Sequence, residues 1–260
     1  MTSERAGRPF DDLRRALEPE HDGSSGREVD PAIRSDPGRR PRTGSPEIVY
    51  AAGKTPDQVV TAVRLLVGAT GRALASRCDR VTLDALVALE AEGWLVETAP
   101  DARMALVSNP EVQRPAGAGI VGIIAAGTSD LPVARETQIV ASELGCQTHL
   151  VVDVGVAGLH RLVRPLESMV EGGVDVIVVV AGMDGALPSV IAGLVAVPVI
   201  GVPTSTGYGL GGDGTGALMA MLQTCAPGLT VVNIDNGVGA AIAAGRIARR
   251  GLRPHGPRTD

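Results

Sequence analysis

From Val178 to Ser205 the chain reads VVVAGMDGALPSVIAGLVAVPVIGVPTS: a β-branched run, a Gly-rich turn, an apolar helical stretch and a second β-branched run. Strands this uniformly apolar are expected where helices cover both faces of a parallel sheet. Ligands of such sheets sit beyond the carboxyl ends of the strands, so the polar groups that follow strands are the candidates for chemistry. Gly182, Met183, Asp184 and Gly185 follow one strand. A carboxylate held among apolar neighbours acquires a raised pKa and can shuttle a proton, although an acid here also fits as the cap of the next helix. Ser205 and Tyr208 follow the next strand and lead into Gly211-Gly212-Asp213-Gly214-Thr215-Gly216. That loop is too long for a connector and suits a phosphate or ribose; it lacks the G-x-x-x-x-G-K-[ST] order of a P-loop.

Other strand ends carry comparable groups. The amides of Gly127, Thr128 and Ser129, with two hydroxyls, suit a carboxylate or CO2, and Asp130 can orient water or accept a proton; an ordinary helix cap gives the same pattern. Arg161 can pair with a phosphate and His160 can move a proton beside Asp153, as against a solvated helix start. Asn233, Asp235 and Asn236 offer oxygen ligands before glycines whose amides can meet a phosphate, and Asn236-Gly237 also reads as a tight turn. Lys54, the only lysine beside 23 arginines, precedes a helix cap. Cys225 ends a helix beside Pro227 and Gly228. A helix C-terminus disfavours a thiolate, so on residue chemistry alone a buried, inert thiol is expected there.

The elements that must position these groups follow from pattern. Residues 1–45 hold nine arginines and nine acids with little aliphatic periodicity, which predicts a disordered tail with a short helix at Phe10–Leu17. A small α/β module spans 46–115: Thr55-Pro56-Asp57-Gln58 is a capping box with proline at the first helical position, opening a helix through Leu66. A strand over 72–76, a helix over 83–92 and a strand over 104–108 follow. From 116 to 251 strands at 120–125, 147–152, 174–180, 197–202 and 230–234 alternate with helices at 133–144, 159–171, 187–194, 216–222 and 239–249. This specifies a three-layer αβα sandwich with right-handed crossovers and a mainly parallel, flavodoxin-like sheet of order 2-1-3-4-5. Residues 252–260 read as a flexible tail.

Composition removes several classes. The 260 residues are 44% hydrophobic with 34 glycines and four aromatics, so the core is built from Val, Ala, Leu and Ile. A formal net charge of -5 argues against nucleic acid. Three cysteines without C-x-x-C spacing suggest a reducing compartment and no zinc site. With neither a signal core nor a run of about 18 apolar residues, a soluble cytoplasmic protein without a membrane partner is expected.

Five motifs in order, YAAGKTPDQ, AGTSDLPVARE, DVGVAGLHR, VVVAGMDGALPSVIAGLVAVPVIGVPTSTGYG and TCAPGLTVVNIDNGVGAA, resemble the LarB family, the carboxylase/hydrolases of nickel-pincer cofactor biosynthesis. The resemblance covers about residues 46–250. Its C-terminal part is similar to the aminoimidazole ribonucleotide carboxylase (PurE) family, which shares the S-D turn and the ALP…PVIGVP segment. Those purine enzymes carry histidine where this chain has Ala186, which argues against the purine reaction. The resemblance implies carboxylation of the pyridinium ring of nicotinic acid adenine dinucleotide and hydrolysis of its phosphoanhydride, releasing AMP and leaving pyridinium-3,5-biscarboxylic acid mononucleotide. It implies Cys225 as the nucleophile, Thr128, Ser129 and Asp130 as holders of CO2 or bicarbonate, and Asp184 as the base that takes the ring proton. Family members commonly have glutamate where Asp184 stands, and the Gly211–Gly216 loop also departs from the pattern. A Mg2+ ion on the diphosphate at Asp235, no tightly bound organic cofactor, and a homo-oligomer of octamer type with shared sites are implied as well. The alternatives are an aminoimidazole ribonucleotide carboxylase or mutase and a nucleotide-binding regulator without turnover.

Overall fold

A computed structural model describes residues 33–251; the helix expected at Phe10–Leu17 and the tail 252–260 lie outside the described residues. Over 33–45 the expectation of disorder is corrected. Helix α1 (Arg39–Thr43) forms there and stops at Gly44, which is left-handed at φ 77°. The mixed charge that suggested disorder is paired locally, with Arg39 Nε and Arg42 Nη2 at 3.3 and 2.6 Å from Asp36 Oδ2. Two arginines of the last helix, Arg246 and Arg249, donate to the carbonyls of Thr43 and Gly44 at 2.8 Å and tie the segment down.

The N-terminal module is a sheet in the order β1-β2-β4-β3, made of β1 (Ile48–Tyr50), β2 (Arg72–Ser76), β3 (Leu95–Ala99) and β4 (Met104–Ser108). β1 and β2 are parallel; β4 pairs antiparallel with β2 and β3. Patterning found β2 and β4 but neither β1, too short to show a period, nor β3, whose Leu95, Glu97 and Thr98 are exposed. Helix α2 (Pro56–Thr70) carries the capping box: Thr55 Oγ1 accepts from Gln58 N–H at 3.2 Å and Gln58 Oε1 from Thr55 N–H at 3.1 Å. The next helical stretch divides into α3 (Arg80–Val87), capped by Asp79, and a 3-10 turn at Ala88–Glu92.

In the C-terminal half, β5 (Ile120–Ala125), β6 (Gln147–Val152), β7 (Val176–Ala181), β8 (Val199–Pro203) and β9 (Leu229–Val231) pair in the order β6-β5-β7-β8-β9, all parallel. This is the expected 2-1-3-4-5. Helices α4 (Leu131–Glu143), α5 (His160–Glu171), α6 (Leu187–Ala192), α7 (Thr215–Leu222) and α8 (Gly237–Gly251) alternate with the strands. The central strand β7 is buried throughout, and its two faces divide by alternation. Val176, Val178 and Val180 pack with Val140, Ala141, Ala240 and Ala244 of α4 and α8. Ile177, Val179 and Ala181 pack with Leu162, Leu187, Ile191 and Met221 of α5, α6 and α7. Each fully buried Val or Ile contributes about 1.5–3 kcal/mol, so a core with few aromatics suffices.

The α4 and α8 layer is shared. Leu74, Met104 and Leu106 of the small sheet join the same cluster, while Val63, Leu66 and Leu86 of α2 and α3 cover that sheet's other face. Arg72 of β2 forks onto Glu143 of α4 at 2.9 and 3.0 Å, and Arg114 reaches the same carboxylate at 2.6 Å. The two modules are thus joined by apolar packing and by one buried acid with two cations.

Candidate functional site

Strand β5 ends in a 3-10 turn, Thr128–Asp130, closed by its own acid. Asp130 Oδ2 accepts from Gly127 N–H at 2.9 Å, and Oδ1 accepts from the Thr204 hydroxyl at 2.6 Å. Asp130 is 4% exposed. Burial pushes its carboxyl above the ordinary aspartate value; Thr204 and the N–H groups of Gly127 and Gly182 pull it down, and the charge of Asp235 pushes it up. The exposed Thr128 and Ser129 hydroxyls stand beside it, at the start of α4. Asp130 thus closes the 3-10 turn through Gly127 N–H and makes no side-chain bond to α4, while the hydroxyls of Thr128 and Ser129 face outward.

The turn after β7 lies against the loop after β8. Met183, left-handed at φ 52°, donates its N–H to the Thr206 carbonyl at 2.8 Å. A Cβ on Gly182 would come within 2.6 Å of Thr204 Oγ1, and one on Gly185 within 2.6 Å of the Ala217 carbonyl oxygen. Close approach therefore demands glycine at both positions. Across the sheet end, the Thr206 hydroxyl donates to the Ser129 carbonyl at 3.4 Å. The Ser205 N–H donates to Asp235 Oδ1 at 2.9 Å, and the Asp235 N–H to the Pro203 carbonyl at 2.8 Å. The ends of β5, β7, β8 and β9 are tied into one polar rim by these bonds.

The remaining expected residues divide. Asp184 is exposed rather than held among apolar neighbours, and its Oδ1 accepts from Ala186 N–H at 3.4 Å. It borders the rim and points to solvent in a single chain. Asp153, left-handed at φ 65°, pairs with Arg161 at 2.6 Å after the edge strand β6, and His160 is exposed at the start of α5. Tyr208 is 82% exposed on the loop leading to the short 3-10 stretch Gly209–Gly214. Asn233 Oδ1 accepts from Ile234 N–H at 2.9 Å and Asn236 Oδ1 from Gly239 N–H at 2.8 Å, so Asn236 caps α8 while its amide nitrogen stays available. Lys54 Nζ donates to the Tyr50 carbonyl at 2.8 Å, at the end of β1.

Cys225 stands elsewhere. It follows α7 and precedes β9, whose Leu229 pairs with Val199 at the start of β8, so it lies at the amino-terminal edge of the sheet. About 16 Å of strand separates the level of Val199 from that of Thr204. Within one chain the sulfur and the rim do not meet. Cys225 is exposed rather than buried; Cys78 and Cys146 are the buried thiols.

Sequence reasoning missed the contribution of the N-terminal module. The carboxyl ends of β1 and β2 face the turn after β9 across a cavity of about 450 Å³ lined by Tyr50, Ser76, Arg77, Glu136 and residues 233–236. Arg77, left-handed at φ 58°, donates to the Asp235 carbonyl and lies 3.6 Å from Glu136. Glu136 is 3% exposed; burial raises its carboxyl, while Arg77 and the N–H groups of Gly237 and Val238 lower it. An unpaired-looking acid at an interior helix position was the signal available in the sequence. Among the described residues no group of three His, Cys, Asp or Glu side chains is placed to hold a metal ion. Asp235 supplies one carboxylate, with one oxygen already engaged by the Ser205 N–H. Among the described residues no helix is long and apolar enough to cross a membrane.

A parallel sandwich whose strand-end turns carry a buried acid, hydroxyls and close-packed glycines is a ligand-binding αβα sheet, and the family match of its residues places it with the carboxylases. Residues 120–252 match the AIR carboxylase family model and residues 28–109 match the LarB/PurE-like N-terminal domain. The chain belongs to the AIR carboxylase family and has the two-part build of a LarB-type protein. An uncharacterized protein of Methanocaldococcus jannaschii is 42% identical over 226 residues, covering 85% of this chain and 86% of the relative. The N5-carboxyaminoimidazole ribonucleotide mutases of the same organism and of Pyrococcus horikoshii are 35% and 34% identical, covering 48% and 49% of this chain and 76% and 71% of their own.

Proposed function

We propose that the protein carboxylates the pyridinium ring of nicotinic acid adenine dinucleotide with CO2 and hydrolyses its phosphoanhydride, releasing AMP. The observation that carries this reading is the rim itself, where an anion-holding turn at 127–130 is bonded directly to the turns after β7, β8 and β9. Thr128 and Ser129 hold CO2 against the rim, and Asp130, fixed by Thr204, keeps their turn in place. An electron-poor pyridinium does not attack CO2. Addition of the Cys225 thiolate forms a carbon–sulfur bond and converts the ring to a neutral dienamine, whose ring carbon bonds to CO2. Asp184 then takes the proton from that carbon, the carbon–sulfur bond breaks, and aromaticity returns. Water cleaves the anhydride; Asp235 would hold a Mg2+ ion brought with the diphosphate, which would polarise the anhydride for that attack. The balance is one CO2 and one water consumed, with one ring proton released.

Because Cys225 and the rim occupy opposite edges of one sheet, the reading requires the sulfur of a second copy, and so a homo-oligomer with shared sites. Incubation with the dinucleotide, bicarbonate and Mg2+ is expected to give AMP and a mononucleotide heavier by one carboxyl group in mass spectrometry. Cys225→Ser and Asp184→Asn each abolish the carboxylated product, and mixed oligomers of the two variants recover part of it. Product from the Cys225→Ser protein alone refutes the covalent step; lack of recovery refutes the shared site.

A ribonucleotide mutase reading keeps support from the similarity of the C-terminal half. It predicts turnover of aminoimidazole ribonucleotide, and Ala186, where the purine enzymes have histidine, argues against it.

A further inference from the structure

The AIR carboxylase match begins at residue 120, and the N-terminal module lies wholly before it. The mutase relatives, named for a ribonucleotide, resemble about half of this chain. The additional module does not simply pad the fold, since it brings the ends of β1 and β2 against the rim and forms an open cleft there.

The chemistry of that cavity is specific. Tyr50, 57% exposed at the end of β1, offers an aromatic face to a flat heterocycle. The same lining holds the Asn236 amide, whose nitrogen is not used by the α8 cap and suits a ribose hydroxyl, while the buried Glu136 holds Arg77 in place. Arg77, with five N–H donors and side-chain exposure of 28%, keeps donors for the ligand after meeting the Asp235 carbonyl and Glu136. An aromatic plate, an amide donor and a cation around about 450 Å³ suit a nucleoside. Asp235 belongs to both places, since its side chain holds Ser205 of the rim and its carbonyl meets Arg77.

We infer that this cavity is the subsite for the adenosine half of the dinucleotide, with Tyr50 as the stacking residue. The inference rests on the dinucleotide reading above and assigns the N-terminal module its purpose: a one-nucleotide substrate needs the rim alone, and a dinucleotide needs a second surface beside it. The pyridinium half then occupies the rim, and the diphosphate crosses Asp235.

Calorimetry with AMP and, separately, with nicotinic acid mononucleotide tests it on the full chain. Tyr50→Ala is expected to weaken AMP by about tenfold and to leave the mononucleotide unchanged; Tyr50→Phe retains AMP affinity. Equal AMP affinity in wild type and Tyr50→Ala, or no AMP binding at millimolar concentration, overturns the subsite. A far-ultraviolet spectrum and melting curve matched to wild type confirm that the variant folds, as a surface substitution should. If AMP binding depends on Tyr50 while the dinucleotide yields no carboxylated product, the subsite stands and the reaction assignment falls. If carboxylated product forms with an unchanged KM in Tyr50→Ala, the reaction stands and the subsite falls.

Discussion

The Thr204 hydroxyl donates to Asp130 Oδ1 at 2.6 Å, and this bond joins the loop after β8 to the turn after β5 across 74 positions of sequence. Both residues are buried, Thr204 at 1% and Asp130 at 4% exposure. Thr204→Val keeps the volume and leaves the carboxylate short of a donor, an expected loss of about 1–3 kcal/mol in urea unfolding. Thr204→Ser restores most of that loss, which a simple packing defect would not allow.

Stability depends on pH through the acids whose carboxyls burial raises, Asp130 and Glu136. Each holds its proton to a higher pH folded than unfolded. The folded chain therefore binds more protons between the ordinary carboxylate range and the raised values, and stability contributed by these groups falls as pH rises across that window. Glu136→Gln is expected to flatten this fall. Denaturation midpoints of both proteins at a series of pH values check it; parallel curves would contradict the assignment.

Thiol chemistry separates the cysteines. Cys78 is pushed up to about 11, first by burial and then by Asp79, and burial also raises Cys146. Cys225 is exposed. An aromatic disulfide reagent at pH 8 is expected to release one fast equivalent per chain from the native protein and three after unfolding. Cys225→Ser removes the fast equivalent.

The joint between the modules makes its own prediction. Glu143, whose side chain is 5% exposed, is held by Arg72 and Arg114 at 2.9 and 2.6 Å. Arg72→Met leaves one cation on a buried acid and is expected to cost about 2–3 kcal/mol. Arg72→Met with Glu143→Leu recovers part of that cost, since the orphaned charge is gone; the test is a double-mutant cycle in denaturant.

Gly182 is fixed by its neighbours, because a Cβ there would overlap the Thr206 carbonyl and the Thr204 hydroxyl. Gly182→Ala is expected to displace the 204–206 loop and abolish turnover with the melting temperature lowered by several degrees. A variant with unchanged kinetics would remove this turn from the site.

Much of this protein is written locally. Unbroken Val and Ile runs announce buried parallel strands, Thr55 to Gln58 announces a helix start, and glycines after strands announce turns where ligands can sit. Each signal needs only neighbours within a few positions, so the element order and the turns at 127–130, 182–185 and 233–236 are legible without coordinates. The short β1 and the exposed β3 fail that test because neither is long or apolar enough to show a period.

What required tertiary structure is which groups meet. Arg77 contacts Asp235 across 158 positions, and no periodicity links the end of a three- or five-residue strand to a turn in another module. The segment 33–45 reads as a disordered chain by composition, yet Asp36 and the carbonyls of Thr43 and Gly44 capture its order through arginines, two of them in α8. Cys225 sits in a promising motif, but a helix reverses the chain between the rim and that cysteine, and the direction of the strands puts it at the far edge. Sequence determined the parts and their succession because those follow from local propensity and burial; the partners were decided by the folded geometry because contact depends on where the chain returns.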